Sequence, residues 1–291
     1  MFTEYLELKQ RETEASGWDE TIPKEKEVSS NLSKDLDLNK PPETTQSKPP
    51  LEGKGIFLLD SLLSPNECKR IIETTEAFVY GRTDFVKHYR GNTRLMCKDS
   101  DFAEKMFQRI APFVPSQLSE HHGEDLDFKV VGLNNTFRLS KYSHGDLFKP
   151  HIDACFQKEL GEDKHIEKSM YTFNLYLNDD FEAGHTRFFV SRNDQTVEAS
   201  ITPETGLCLL FRQPPHSHYL HDGEAVVRGY KYLLRSDVIY RSTTPSTIFT
   251  HIPPPPQPMK PADMIWSYLL YVCQIVIQFF FPTKFPRSKE T

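Results

Sequence analysis

In Pro150-His151-Ile152-Asp153 an imidazole and a carboxylate stand two residues apart. On an extended chain they share one face, because side chains alternate along a strand. Joined by a second imidazole from elsewhere, such a pair makes a two-His, one-carboxylate facial set. That set fills three positions of an octahedral ferrous ion and leaves three open for a bidentate 2-oxo acid and dioxygen. The spacing alone carries little weight, since roughly one His-x-Asp is expected by chance in a chain of this composition. Indeed His144-Gly145-Asp146 repeats it. There, however, Gly145 and the neighbouring Ser143 mark a turn, where positions i and i+2 need not share a face, so His151 and Asp153 are preferred.

For the second imidazole the candidates crowd together as His216, His218 and His221, in PPHSHYLHDGEAVVRGYKYLLRSDVIY. An exposed loop would account for all three. What favours His221 is the run that follows it, where Gly223 and Gly229 permit a turn and Lys231 enters a strand that continues through Leu233 and Arg235. A lone Lys on a strand is more often a solvated edge residue, but one directed into a barrel needs an anionic partner to offset desolvation. The distal carboxylate of 2-oxoglutarate would be that partner.

These groups need a scaffold, and the 291 residues divide unevenly in their ability to build one. Residues 1–53 are rich in Glu, Lys, Ser, Thr and Pro and poor in large apolar side chains. Burial there could not offset the entropy of ordering, and a disordered polar arm is expected. A folded domain follows over 54–243. Ser64-Pro65-Asn66-Glu67 combines a capping box with Pro at the first helical position, so a helix starts there, carrying Cys68, Ile71, Ile72 and Phe78 on its apolar face. A second helical stretch with Phe102, Met106, Phe107 and Ile110 ends near Pro112 or Pro115.

From Phe128 onward the pattern turns to short runs of β-branched and aromatic residues divided by turn-forming groups at 143–146, 178–180 and 203–206. In YTFNLYLN the period is two, and Thr172, Asn174, Tyr176 and Asn178 make a face polar enough to line a pocket. Further strands are expected at 188–191, 197–202, 207–212 and 230–240. Many short strands with few late helices fit a jelly-roll sandwich or barrel, mainly β with flanking helices, better than alternating β-α units.

Beyond the domain, 244–262 reads as a Pro-rich linker whose IPPPPQP core must be extended. Within the apolar C-terminal segment 263–291, Met264 to Phe281 gives 18 residues with Ser267, Gln274 and Gln278 as the clearly polar members. That is barely long enough to span a bilayer. A helix packed on the domain or lying in the interface is the competing reading; the membrane anchor is placed slightly ahead. Lys284, Arg287 and Lys289 follow the stretch, against the positive-inside tendency for a cytoplasmic domain, and leave the orientation open.

The net charge of −6 and the lack of a dense Lys/Arg run argue against nucleic acid as the main ligand. Five scattered cysteines without a CxxC pair suit reduced, intracellular thiols. The acidic N-terminus has no apolar run, so no secretory signal is read there, and a cytoplasmic or membrane-tethered enzyme is expected rather than a secreted one.

In order along the chain, the SPNEC helix, Tyr142 with Gly145 and Phe148 leading to His151-Ile152-Asp153, then Tyr176-Leu177-Asn178, Thr186 with Phe188, His221-Asp222-Gly223, and finally Gly229 and Lys231 resemble the prolyl 4-hydroxylase-like branch of the Fe(II)- and 2-oxoglutarate-dependent dioxygenases. The resemblance covers roughly 55–240 and implies a double-stranded β-helix. It implies His151, Asp153 and His221 as iron ligands, Lys231 as the partner of the distal carboxylate of 2-oxoglutarate, and Tyr142 and Tyr176 as supporting pocket residues. Either tyrosine fits a core role equally well, with its hydroxyl bonded to backbone. His185, in Ala183-Gly184-His185-Thr186, departs from the pattern, in which a second Gly and an acidic or small residue are common.

The implied reaction takes O2 and 2-oxoglutarate to succinate, CO2 and a hydroxylated product; ascorbate dependence is a common trait of the family. A peptidyl proline is the substrate the branch suggests, with a small molecule as the alternative, since nothing in the sequence reads a proline ring. Two readings from other classes compete. One is a non-catalytic, membrane-tethered jelly-roll binding module, which leaves the triad and Lys231 without purpose. The other is a hydrolytic zinc site with the same ligands, which lacks a paired general base.

Overall fold

A computed structural model describes residues 16–245, apart from 29–31, 35, 37, 39–41, 48–50, 52, 122–124, 161–163, 192 and 215–218. His216, His218, the Pro-rich linker and the apolar stretch 264–281 fall outside the described residues. Among those described, no helix is long and apolar enough to cross a membrane.

The chain opens with β1 (Glu27–Val28), β2 (Thr45–Ser47), β3 (Ile56–Asp60), α1 (Pro65–Glu76), β4 (Gly81–Arg82), β5 (Thr93–Lys98) and α2 (Ser100–Ile110). Next come β6 (Gln117–His121), β7 (Asp125–Leu133), β8 (Thr136–Tyr142), β9 (Phe148–His151), β10 (Gln157–Leu160) and β11 (His165–Tyr176). It closes with β12 (Glu182–Ala183), β13 (Thr186–Phe189), β14 (Val197–Ile201), β15 (Cys208–Arg212), β16 (His221–Gly223), β17 (Val226–Arg228) and β18 (Lys231–Ser242).

Both helices begin where the local chemistry dictates. Ser64 accepts a hydrogen bond from the Glu67 backbone N–H while the Glu67 side chain accepts one from the Ser64 N–H, so two orphan donors are satisfied at once. Asp99 caps α2 through the Phe102 N–H. The expected apolar face of α1 stops short of Phe78, which lies beyond the helix. Phe102 of α2 meets Phe137 of β8 edge to face, with centroids 5.1 Å apart.

Two largely antiparallel sheets make the body. In the larger one, β8, β18, β11 and β15 are neighbours in that order; in the smaller, the order is β14, β13, β16, β9. The chain therefore crosses between sheets as it passes from β8 to β9, to β11, to β13 and β14, to β15, to β16 and to β18, which makes a jelly roll, the double-stranded β-helix. Ile56, Tyr176, Phe188, Ile201, Leu207, Leu209, Phe211 and Leu233 fill the space between the sheets at one end. The polar rows fill the other.

Residues 1–53 do not behave throughout as the disordered polar arm expected. Glu27 and Val28 pair in parallel with Met96 and Cys97 of β5, and 45–47 pair with 58–60 of β3. Trp18, Leu32 and Leu38 are buried, and the Trp18 indole N–H donates to the Phe85 carbonyl at 2.7 Å. Strand addition draws on backbone hydrogen bonds that any residue other than Pro can make, so an arm poor in apolar side chains can still order.

One glycine couples the helical layer to the larger sheet. Gly206 has φ +86°, and a Cβ there would lie 2.1 Å from the Leu63 carbonyl oxygen. Its own N–H donates to Tyr176 and its carbonyl accepts from Leu62. Gly206→Ala is expected to lower unfolding stability by about 2–5 kcal/mol, combining left-handed strain with overpacking. Urea titration with an unchanged slope and a lower midpoint would bear this out; an unchanged midpoint would contradict it.

Candidate active site

Strand pairing sets the geometry. His221 opens β16 and is the direct cross-strand partner of His151 at the end of β9, and their rings lie 4.2 Å apart. Asp153 does not lie on the strand itself, as the alternation argument supposed. β9 ends at His151, and Asp153 is held past it by the opposite sheet: Thr172 Oγ1 donates to Asp153 Oδ2 at 2.7 Å, and Arg235 Nη2 lies 3.2 Å from the same oxygen.

The result is a compact donor set. His151 Nε2 is 3.6 Å from Asp153 Oδ1, and His221 Nε2 is 3.8 Å from Asp153 Oδ2. All three ligand atoms lie within 4.8 Å of one another. Two donors bound to one ion at about 2.1 Å span at most about 4.2 Å, so both carboxylate–imidazole separations suit a shared metal.

Hydrogen bonds fix the tautomers. His151 Nδ1 faces the Lys149 carbonyl at 2.8 Å and His221 Nδ1 faces the Tyr219 carbonyl at 3.0 Å. A carbonyl only accepts, so each Nδ1 carries its hydrogen and each Nε2 turns a lone pair toward Asp153. Burial, with the adjacent His151, pushes the His221 pKa down to about 4, which keeps the ring neutral near pH 7. Burial alone would raise the Asp153 pKa, but Arg235 and the two imidazoles outweigh it and hold the group well below the usual carboxylate range. Neutral imidazoles and an ionised carboxylate are the forms that bind a divalent metal.

Next to the triad a network continues across the larger sheet. Gln213 Nε2 donates to Thr172 Oγ1 at 3.0 Å and to Asp237 Oδ1 at 2.8 Å, while Arg138 Nη1 lies 3.4 Å from Asp237 Oδ2. Thr172 is thus fixed with its hydroxyl hydrogen on Asp153. Thr172→Val is expected to weaken divalent metal binding about tenfold, the lower end of what a lost supporting partner costs. A Mn(II) titration with affinity unchanged would refute this role.

At the far end of the same inner row, Lys231 pairs with Tyr142 across β18 and β8. The residue is 3% exposed, and its ammonium donates to the Gly184 carbonyl at 2.6 Å and lies 5.4 Å from the ring centroids of both Tyr142 and Tyr176. Tyr176 donates its hydroxyl to Thr186 Oγ1 at 2.7 Å. Burial lowers the Lys231 pKa to about 8 against the opposing pull of Asp222 and Glu224. A buried cation with no carboxylate in contact among the described residues, walled by two tyrosine rings, fits the carboxylate of a small acid. Asn174 adds an orphan: its Oδ1 is buried without a hydrogen-bond partner, and Asn174 stands beside Arg235 in the strand register.

The rival pair is apart from this site. His144 sits in a turn with Nδ1 against the Val227 carbonyl, and Asp146 accepts from the Ser143 N–H and hydroxyl. His185 pairs with Glu224 at 2.7 Å on the rim. Sequence reasoning did not assign roles to Arg235, Gln213, Asp237, Arg138 or Arg90. The signal for Arg235 was present as its period-two relation to Lys231, which places both on one face.

With this geometry in view, comparison with known proteins is informative. Residues 137–236 match the profile of the 2OG-Fe(II) oxygenase superfamily. This domain is a 2-oxoglutarate- and Fe(II)-dependent oxygenase. It is of the prolyl hydroxylase-like kind, a dioxygenase using Fe(II), 2-oxoglutarate and O2. A prolyl 4-hydroxylase-like protein of Acanthamoeba polyphaga mimivirus is 23% identical over 192 residues, 61% of this chain and 71% of the relative. Prolyl 3-hydroxylase 2 of Rattus norvegicus is 26% identical over 213 residues, 62% of this chain; the match spans 29% of that longer protein. Among solved structures, the viral collagen prolyl hydroxylase of Paramecium Bursaria Chlorella virus-1, as its 2OG complex, aligns with 65% of this chain and 97% of its own at 17% identity and a TM-score of 0.41.

Proposed function

We propose that His151, Asp153 and His221 hold the ferrous ion, that Lys231 receives the distal carboxylate of 2-oxoglutarate between Tyr142 and Tyr176, and that the oxygenase hydroxylates a peptidyl proline. The observation that carries the first part is the pair of Nε2 lone pairs turned onto one carboxylate, each fixed by its own Nδ1 hydrogen bond. Bound iron and 2-oxoglutarate supply the oxidising chemistry, in which O2 and 2-oxoglutarate are consumed to give succinate, CO2 and a hydroxylated product.

The protein's own work is positional. His151 and His221 enter as neutral donors, so no proton must leave them when metal binds. Thr172 and Arg235 keep Asp153 ionised and in place, as a ligand to a divalent ion would need to be. Lys231 compensates one end of the cosubstrate in a site where burial would otherwise make the charge costly. A peptidyl proline is supported by the names of the relatives, which are prolyl hydroxylases.

The experiment is direct. Purified protein with Fe(II), 2-oxoglutarate and a library of proline-containing peptides should release succinate and add 16 mass units to a peptide, both only when the cosubstrate is present. Succinate release without any modified peptide would keep the iron and cosubstrate assignments and remove the prolyl one; no succinate at all would remove both. We also infer that 264–281 tethers the domain to a membrane, a reading its apolar composition supports; a chain ending at Ser246 should then be soluble and retain turnover.

A further inference from the structure

Arg90 is the one guanidinium near the triad that the fold leaves uncompensated among the described residues. It is 9% exposed, its Nε donates to Asn92 Oδ1 at 3.0 Å, and it has no carboxylate in ion-pair contact. Among the described residues its terminal nitrogens have no protein acceptor, and unlike the Nε atoms of Arg82 and Arg109 they are not sealed from solvent. The guanidinium lies 4.3 Å over the Phe148 ring, and that ring stacks on His151 at 3.6 Å and 20°. One aromatic layer therefore separates Arg90 from a residue of the triad.

The neighbouring guanidiniums Arg94, Arg138 and Arg235 are matched by carboxylates. Arg94 is gripped by both oxygens of Glu25, Arg138 by Asp237, and Arg235 by Asp153 and Asp237. Lys231 stands at the other end of the row and is assigned to the cosubstrate. Arg90 feels Arg94 and Arg235 as repelling neighbours and Asp153 as an attracting one. The phenyl ring beneath the cation offers nothing for the terminal N–H groups to donate to. Leaving a buried charged donor unpaired is the costly case, and such a donor persists where a ligand completes it.

The position is also rigid. The Arg90 N–H donates to Val86 and the Gly91 N–H to Leu147, and Arg90 bridges Phe148 through the backbone. A Cβ on Gly91 would lie 2.8 Å from Asp146 Oδ1, so the segment is packed against the β8–β9 turn. A fixed, unpaired, fork-shaped donor is built for bidentate recognition of a planar anion.

We propose that Arg90 binds a carboxylate carried by the substrate, so that this oxygenase selects an acidic substrate, one with a free or side-chain carboxylate close to the oxidised carbon. The inference rests on the metal and cosubstrate reading above, and deepens it by naming a substrate class. The carboxylate of 2-oxoglutarate is the one other source of the same chemistry at this site.

The test uses full-length protein loaded with Mn(II) and saturated with 2-oxoglutarate, titrated calorimetrically with matched neutral and acidic probes: L-prolinamide against L-proline, and acetyl-Pro-Gln-amide against acetyl-Pro-Glu-amide. At least one acidic member should bind about tenfold to a hundredfold tighter than its neutral partner. That preference should vanish in Arg90→Gln and return in part in Arg90→Lys, which keeps the charge and guards against a folding artefact. Equal affinities within both pairs, or no binding by either acidic probe, would overturn the proposal. So would an Arg90→Gln protein that keeps the acidic preference while losing affinity for 2-oxoglutarate. Titration of the wild type with 2-oxoglutarate alone separates the two readings: failure there removes the site assignment, whereas normal cosubstrate binding without acidic preference removes this inference alone.

Discussion

In Asp153→Asn, Mn(II) affinity should fall by more than a hundredfold and succinate formation should drop to background. Loss of a supporting partner in a metal site typically costs about 10–100-fold, and a direct ligand must cost more. The substitution keeps volume and shape but removes the charge that both Nε2 atoms and Arg235 face. Arg235 retains Asp237 at 3.4 Å, so the variant should fold. Circular dichroism and a thermal midpoint near that of the wild type, measured alongside metal titration, would separate ligand loss from unfolding. Mn(II) binding as tight as in the wild type would mean that the three side chains do not share a metal.

Lys231→Met should weaken 2-oxoglutarate binding by at least about a hundredfold while leaving Mn(II) affinity near the wild-type value, because breaking a buried ion pair strands the remaining charge. The wild type offers a second handle. Burial lowers the Lys231 pKa to about 8 from an ordinary 10.5. Between those values the unfolded chain holds a proton the folded one has lost, so this group makes stability rise with pH across that window. Below pH 8 both states are protonated and the full cost of the buried ammonium, about 3 kcal/mol, is present. A dianionic cosubstrate prefers the protonated site. Its affinity should therefore fall as pH rises through 8, becoming about tenfold weaker at pH 9 than at pH 7, and the dependence should disappear in Lys231→Met. A flat profile in the wild type would show that the ammonium does not meet the ligand.

Much of this site could be read from the chain because its chemistry is concentrated. A carboxylate and an imidazole two residues apart, and a lysine entering a strand after two glycines, are conspicuous among apolar, alternating segments, and the jelly-roll pairing brought them together. The capping box at Ser64 was legible because its three-residue spacing is itself the geometry. Arg235 and Asp153 lie far apart in sequence, and they touch only because the segment after β9 folds against β11 and β18. Arg90 carries no local mark at all: its burial comes from Phe148 and the turn after β8, both remote in sequence. Nor could composition reveal that parts of 16–47 are ordered, because average hydropathy does not register main-chain pairing.

That ordering has a bearing on how the protein can be handled and how it keeps to itself. β1 lies along β5 and β2 lies along β3, so the polar leader runs like a selvage on both borders of the larger sheet. Trimmed back to Gly55, the protein would bare the backbone of 56–60 and of Met96–Cys97, two open templates for sticking to copies of itself. The same cut would strip Glu25 from Arg94 and leave that guanidinium without its carboxylate. A stretch that looks dispensable by composition thus covers both sheet borders and neutralises Arg94.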